Sequence, residues 1–181
     1  MSRHRRNAIV VVAATSLGGL TWLAPASFAA DPLWNGEYLL TLSANAKTGI
    51  SMAASQPEYA HRSTVSISSK CSSGSCIATV DNPPPPKNDS MPRTIEFTWN
   101  GSQWVREMTW QWDCLLPDGT TEPDPAKSIT VYTPGPNGVL TGVFHTDIKS
   151  GACKGNVDMP VTAAPLPSMA TLPDTASCGW L

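Results

Sequence analysis

The sequence contains no segment in which apolar residues repeat with the sustained period of a helix, and few glutamates, lysines or alanines gather as they do in helices. Histidine is scarce, with three in the whole chain, and no cysteine precedes Cys71. The missing helical period argues against an α-helical fold. Without an early cysteine, the N-terminal region offers no site for a lipid-modified cysteine, so we expect a soluble product rather than a lipoprotein.

The N-terminus has the three blocks of a secretion signal. A basic start, Arg3–Arg6, precedes an apolar stretch, and small residues occupy the −3 and −1 positions of a cut after Ala29. The apolar stretch is short and interrupted by serine, glycine and threonine, which favours cleavage over retention as a membrane anchor. We therefore expect residues 1–29 to be a signal peptide, 30–166 an exported β domain and 167–181 a flexible tail.

The predicted mature part is acidic. It has nine Lys and Arg against 14 Asp and Glu, a net charge of −5. Such a surface repels phosphate backbones, so we expect no nucleic-acid partner and no binding to anionic lipid surfaces. All five cysteines lie in this part, where disulfides are their ordinary use. An odd number leaves one free, reduced or bonded to another molecule.

Short runs of alternating apolar and polar residues, separated by Gly, Pro, Asn and Asp, indicate an all-β domain. We predict eight strands, near Gly36–Leu42, Ser63–Cys71, Cys76–Asp81, Thr94–Trp99, Ser102–Cys114, Ser128–Thr133, Val139–Asp147 and Gly155–Val161. Because tight turns join most of these runs, we expect an antiparallel meander that closes as a small barrel or a curled sandwich.

One hairpin is specified by its turn residues. Asn100-Gly101 predicts a two-residue type I′ turn, which would pair Trp99 with Ser102 and Phe97 with Trp104. One face of the hairpin would then carry Ile95, Phe97, Trp99, Trp104, Arg106, Met108, Trp110, Trp112 and Cys114. These aromatic side chains form either the core of a small barrel or the lining of a pocket for an apolar or glycan ligand. The candidate pocket residues are Trp99, Trp104, Arg106, Trp110 and Trp112.

A second hairpin brings two cysteines together. Facing Cys71 and Cys76 across their turn also places Ile67 opposite Val80, so a bridge between the cysteines is sterically easy. A bridge across so short a loop adds about 2 kcal/mol, against about 4 kcal/mol for one closing a long loop of the size that runs from Cys114 to Cys153.

The remaining segments are predicted connectors. The run Pro83–Pro86 favours an extended polyproline helix, either as a docking site for a proline-binding groove or, as we prefer, as a stiff exposed loop. Leu115–Lys127 is predicted to be another loop. The tail contains Cys178 and Trp180 among proline, serine and threonine residues, which give the thiol little reason to be buried.

No catalytic motif is present. Of the mature part's two histidines, His61 and His145, the second lies near Asp147 on one strand face. That pair is either the start of a metal site or, as we prefer, a solvated pair, and we expect no metal and no cofactor. The sequence has no Gly-x-Ser-x-Gly elbow, and Glu96 and Glu107 are predicted to lie on the outer face. We therefore expect no enzymatic activity, with a secreted hydrolase of unrecognised site as the alternative.

Several of these elements occur together in one known family. They are Trp34-Asn35-Gly36-Glu37-Tyr38, Cys71, Cys76-Ile77-Ala78-Thr79, Cys114, Pro136–Gly142, Cys153 and Met159–Ala163. From Leu33 to Leu166, the chain resembles a β domain found in mycobacterial exported proteins of unassigned function. The same domain occurs in the extracytoplasmic parts of some mycobacterial receptor-type serine/threonine kinases.

The resemblance implies the bridges Cys71–Cys76 and Cys114–Cys153, with Cys178 outside the pattern. Cys178 would then be the remaining thiol and, exposed in the tail, would form a mixed disulfide or a Cys178-linked dimer in a fraction of the oxidised protein. It supplies no catalytic residues, and we expect no kinase domain in this chain. The function predicted from the sequence is that of a secreted, non-enzymatic β domain that binds a small ligand, a cell-envelope component or a protein partner.

Overall fold

Eight antiparallel strands form the domain in the computed structural model, which describes residues 32–167. The strands are β1 (Gly36–Leu42), β2 (His61–Ser72), β3 (Ser75–Val80), β4 (Glu96–Trp99), β5 (Trp104–Leu115), β6 (Thr121–Pro134), β7 (Leu140–Ile148) and β8 (Gly155–Pro165). A one-turn helix, α1 (Met52–Ser55), lies between β1 and β2. Each strand pairs with the next in the chain, and β1 pairs with β8, so the meander closes as a barrel. The predicted all-β fold is confirmed.

The register predicted for the β4–β5 hairpin is wrong by two residues. Trp99 pairs with Trp104, not with Ser102, because the loop contains four residues instead of two. The Asn100 side-chain oxygen accepts from the N–H groups of Ser102 and Gln103 at 3.0 and 2.8 Å, which stabilises this wider turn. Since a shift of two residues preserves the side-chain alternation, the predicted inward face is retained.

The β2–β3 hairpin has the predicted register. Ile67 lies opposite Val80 and Cys71 opposite Cys76, and the two cysteines are bonded. The residues at the tip, Ser73 and Gly74, both have positive φ, at 50° and 82°. A type I′ turn requires positive φ at both central positions, so this is the hairpin that has the backbone sign pattern of that turn.

Strand β6 begins within the segment predicted to be a loop. Pro123 and Pro125 lie inside this strand and pair with Asp113 and Gln111 of β5. The pairing of β6 with β7 begins only at Ala126. The two prolines therefore occupy a stretch of β6 that has a strand neighbour on one side, where their missing N–H groups leave no ladder bond unmade.

The barrel interior contains two groups of packed side chains. The Trp34 cluster comprises Trp34, Tyr38, Val65, Ile67, Cys76, Ala78, Val80, Phe97, Trp104, Tyr132, Leu140, Val161 and Ala163. The disulfide cluster comprises Ala44, Ala53, Met108, Trp110, Trp112, Cys114, Ala126, Ile148, Cys153, Val157 and Met159. The Cys114–Cys153 bridge lies in the second cluster, with both residues fully buried. Ala44 and Ala53 bring the segment between β1 and β2 over that cluster.

Three expectations concern residues outside 32–167: the signal peptide, the flexible tail and the fate of Cys178. They remain predictions. Among the described residues, no helix has the length and apolar character needed to cross a membrane.

Candidate functional site

A cavity of about 520 Å³ lies inside the barrel between the two clusters. Apolar side chains from six strands form most of its wall: Leu40, Leu42, Phe97, Met108, Trp110, Trp112, Tyr132, Phe144, Met159 and Val161. Leu40, Leu42 and Phe144 point inward and pack against the clusters, but they are only partly buried because they also border the cavity. A volume of this size falls within the roughly 300–1,000 Å³ range of small-molecule sites.

The wall of the cavity contains a seam where two neighbouring strands stop pairing. β4 and β5 pair only at Thr98–Val105 and Trp99–Trp104, so β5 continues without a β4 partner from Arg106 onward. The segment 81–95 covers this seam, and its Pro84 and Pro85 line the cavity. The polyproline run lies in a loop, as the sequence predicts, with Pro83 and Pro85 exposed, and Pro84 and Pro85 also form part of the cavity wall.

Two polar side chains attach the covering segment to the free side of β5. Asn88 Nδ2 donates to the Gln111 carbonyl at 2.9 Å, and the Gln111 N–H donates to Ser90 Oγ at 2.8 Å. These contacts satisfy backbone groups of β5 that no strand pairs with. The segment thus takes the place of a neighbouring strand beside β5 at Gln111 and forms one side of the opening of the cavity.

Charged side chains surround the mouth. The Glu58 carboxylate accepts from Lys47 Nζ at 2.9 Å and lies 3.1 Å from His61 Nε2 and 3.6 Å from Lys87 Nζ. Burial raises the pKa of Glu58, but the hydrogen bond from Lys47, the charge of Lys87 and the bond to His61 outweigh it, and the pKa lies below its ordinary value. Lys87 Nζ also lies 5.0 Å from the centre of the Trp112 ring, within range of a cation–π contact.

The five residues proposed from the sequence as pocket lining have different locations. Arg106, Trp110 and Trp112 border the cavity. Trp104 packs within the Trp34 cluster and Trp99 lies on Trp104 with ring centres 5.4 Å apart; neither is among the residues that line the cavity. Trp110 and Trp112 therefore both pack in the disulfide cluster and border the cavity, whereas Trp99 and Trp104 do not border it.

Sequence reasoning missed the lining from strands far along the chain. Leu40 and Leu42 on β1 and Met159 and Val161 on β8 all border the cavity. The alternation within β1 and β8 identifies these residues as inward-facing. It does not show which inward-facing side chains also border a cavity.

The sequence matches, over residues 31–176, the family described as PknI serine/threonine-protein kinase sensor domain. The chain belongs to the PknI sensor-domain family. The solved monomer form of the M. tuberculosis PknI sensor domain is 19% identical, with a TM-score of 0.55, and the match covers 82% of this chain and 99% of that one. The dimer form is 23% identical, with a TM-score of 0.44, over 62% and 78% of the two chains. No curated protein matches the sequence.

Membership of the PknI sensor-domain family agrees with the resemblance seen in the sequence. A kinase sensor domain is extracytoplasmic and is itself non-catalytic. The two disulfides of this chain fit an oxidising compartment. The family thus fits a non-enzymatic, ligand-sensing role.

The acidic candidates of this sensor domain lie away from the cavity. Glu96 and Glu107 are exposed on the outer face, and Glu107 pairs with Lys127 Nζ at 2.7 Å. The buried Asp124 carboxylate accepts from the Cys153 N–H at 2.9 Å. Cys114, Asp124 and Cys153 are close enough to hold an ion, but the two sulfurs are bonded to each other and offer no thiolate.

His145 lies on the outer wall between two carboxylates. Its Nδ1 is 2.6 Å from Asp158 Oδ1 and its Nε2 is 3.3 Å from Asp147 Oδ1. The hydrogen bond with Asp158 raises the pKa of His145; burial opposes this, and the charges of Asp158 and Asp147 add to it. The sequence paired His145 with Asp147, whereas its shorter contact is with Asp158 on the neighbouring strand.

We expect this contact to make stability depend on pH. Because the folded pKa of His145 is raised, its contribution is complete below about pH 6.5, the ordinary value, and is lost as the pH rises through the folded pKa. His145→Gln should therefore cost up to about 1 kcal/mol at pH 5.5, as partly exposed pairs do, and less at pH 8.5. Asp158→Asn should remove the same pH-dependent part of the free energy of unfolding. Urea unfolding at both pH values measures it, and a cost independent of pH would contradict the assignment.

Proposed function

We propose that this chain is an exported, non-enzymatic sensor-type domain that binds a small, largely apolar ligand in its barrel cavity. The observation that carries the proposal is a cavity of about 520 Å³ with a mostly apolar wall in a domain of a kinase sensor family. A domain packed only for stability would fill such a space, since voids in a core cost free energy. We expect the protein to lose residues 1–29 on export. The ligand would come from the cell envelope or the medium.

Native mass spectrometry of protein purified from its own culture medium tests the proposal. The expected species begins at Ala30, or one residue later, and carries an additional small-molecule mass. Leu42→Trp fills the cavity from β1 and should remove the bound mass while the fold is kept. Val143→Trp is the matched control, because Val143 is exposed on β7 and lies outside the cavity lining.

Each measurement has a result that contradicts the proposal. An intact Met1 on a membrane-bound form would overturn export. A ligand that Leu42→Trp retains as well as Val143→Trp does would show that binding takes place elsewhere on the domain.

A further inference from the structure

Cations gather around the cavity of a protein that is acidic as a whole. The residues that line the cavity include three cations, Arg62, Lys87 and Arg106, and one carboxylate, Glu58. The lining therefore has a net charge of +2. The complete chain has a net charge of −2. The charge at this cavity is therefore opposite in sign to the charge of the protein, which favours an anionic group at the site.

Arg106 is the least exposed of the three lining cations. It projects inward from β5 between Trp104 and Met108, one from each cluster, and is partly buried. Its Nη2 donates to the Thr94 carbonyl at 3.2 Å, and within residues 32–167 it forms no salt bridge. A guanidinium has five N–H donors in a planar fork, so most of its donors remain available.

The nearby carboxylate does not serve as its counter-ion. Glu58 is already bound by Lys47 and Lys87, at 2.9 and 3.6 Å. Burial lowers the pKa of the Arg106 guanidinium, which reflects the loss of water around its charge. A charge in such a place is stabilised when an anion pairs with it. Thr130, the cross-strand neighbour of Arg106, borders the same cavity and adds a hydroxyl donor.

We propose that the cavity binds a single-chain amphipathic carboxylate, of the long-chain fatty-acid class, with its carboxylate on Arg106 and its alkyl chain along the apolar wall. A carboxylate matches the bidentate geometry of a guanidinium. At roughly 30 Å³ for each methylene, about the volume of one water molecule, the cavity of about 520 Å³ holds a chain of some twelve to sixteen carbons. This inference rests on the proposed function and adds the ligand class.

The test compares hexadecanoate with 1-hexadecanol, which has the same chain and a neutral head. Displacement of a fluorescent apolar probe from the purified domain gives both affinities. We expect the wild type to bind hexadecanoate at least tenfold more tightly than the alcohol. Arg106→Gln should lose that tenfold preference and keep its affinity for the alcohol, which also shows that the variant is folded. Arg62→Gln removes the same charge from an exposed arginine at the same mouth and should keep most of the preference for the acid.

The outcomes separate this inference from the proposed function. If the alcohol binds as tightly as the acid and Leu42→Trp blocks both, the carboxylate assignment is wrong and cavity binding stands. If Arg106→Gln weakens both ligands equally, or if Arg62→Gln removes the preference, Arg106 is not the anion site. If neither compound binds, the proposed ligand class and the cavity as an apolar site are both overturned.

Discussion

We expect removal of the Cys114–Cys153 bridge to lower the free energy of unfolding by about 4 kcal/mol, and removal of the Cys71–Cys76 bridge to lower it by about 2 kcal/mol. The physical reason is loop length. The first bridge joins residues 39 apart in sequence, the second residues 5 apart, so the first restricts the unfolded chain far more. Burial acts in the same direction, because Cys114 and Cys153 are fully buried whereas Cys71 is exposed at a hairpin tip.

The double variants Cys114→Ala/Cys153→Ala and Cys71→Ala/Cys76→Ala measure these losses in urea unfolding. Repeating the titrations with a strong reductant separates the two causes, because every form then lacks both cross-links. The difference that persists under reduction is the packing of the buried pair, and the difference that disappears is the cross-link. Equal losses in the oxidised state would show that loop length does not determine the stabilisation.

Local patterns predict the sides of strands better than their register. The inward set of the aromatic hairpin follows from alternation alone, and it is correct even though the predicted turn is not. The predicted two-residue turn is wrong because the Asn100 side-chain oxygen accepts hydrogen bonds from the N–H groups of Ser102 and Gln103, which stabilises a four-residue loop. Asparagine favours both arrangements, and the sequence alone does not decide between them.

Long-range pairing accounts for the larger errors. Pro123 and Pro125 predict a loop by every local rule, yet they lie in β6 because β7 ends at Ile148 and leaves that side without a strand neighbour. The covering role of Pro84 and Pro85 depends in the same way on where β4 stops pairing with β5. Neither feature can be predicted from residues that are close together in the sequence.

The cavity itself is the least predictable feature. The sequence identifies Trp110, Trp112 and Arg106 as inward-facing, but the space beside them depends on side chains from β1 and β8 that lie far away in the chain. Whether an inward tryptophan is enclosed on all sides or also borders a cavity depends on the summed volume of residues that meet only after folding. The sequence alone therefore does not show that Trp110 borders the cavity and Trp104 does not.

Trp34→Ala should destabilise the domain by about 3–5 kcal/mol, the usual cost of truncating a buried tryptophan. Trp34 is 1% exposed, and its ring lies 5.2 Å from those of Phe97 and Tyr132 and 5.9 Å from that of Trp104. It precedes β1 and enters the barrel from outside the sheet, so no strand pairing holds it there. Its backbone N–H donates a hydrogen bond to Ser69 Oγ at 2.9 Å.

Two variants give this prediction its controls. Trp34→Phe keeps a ring and should cost much less than the alanine variant, because the Trp34 Nε1–H has no hydrogen-bond partner among the described residues and none is lost. Trp99→Ala removes a tryptophan that is only partly buried, so its cost should also be smaller. Far-UV circular dichroism is the suitable measurement, since each substitution changes tryptophan fluorescence directly. If Trp34→Ala costs no more than Trp99→Ala, the packing of the Trp34 cluster does not depend on the residue at its centre.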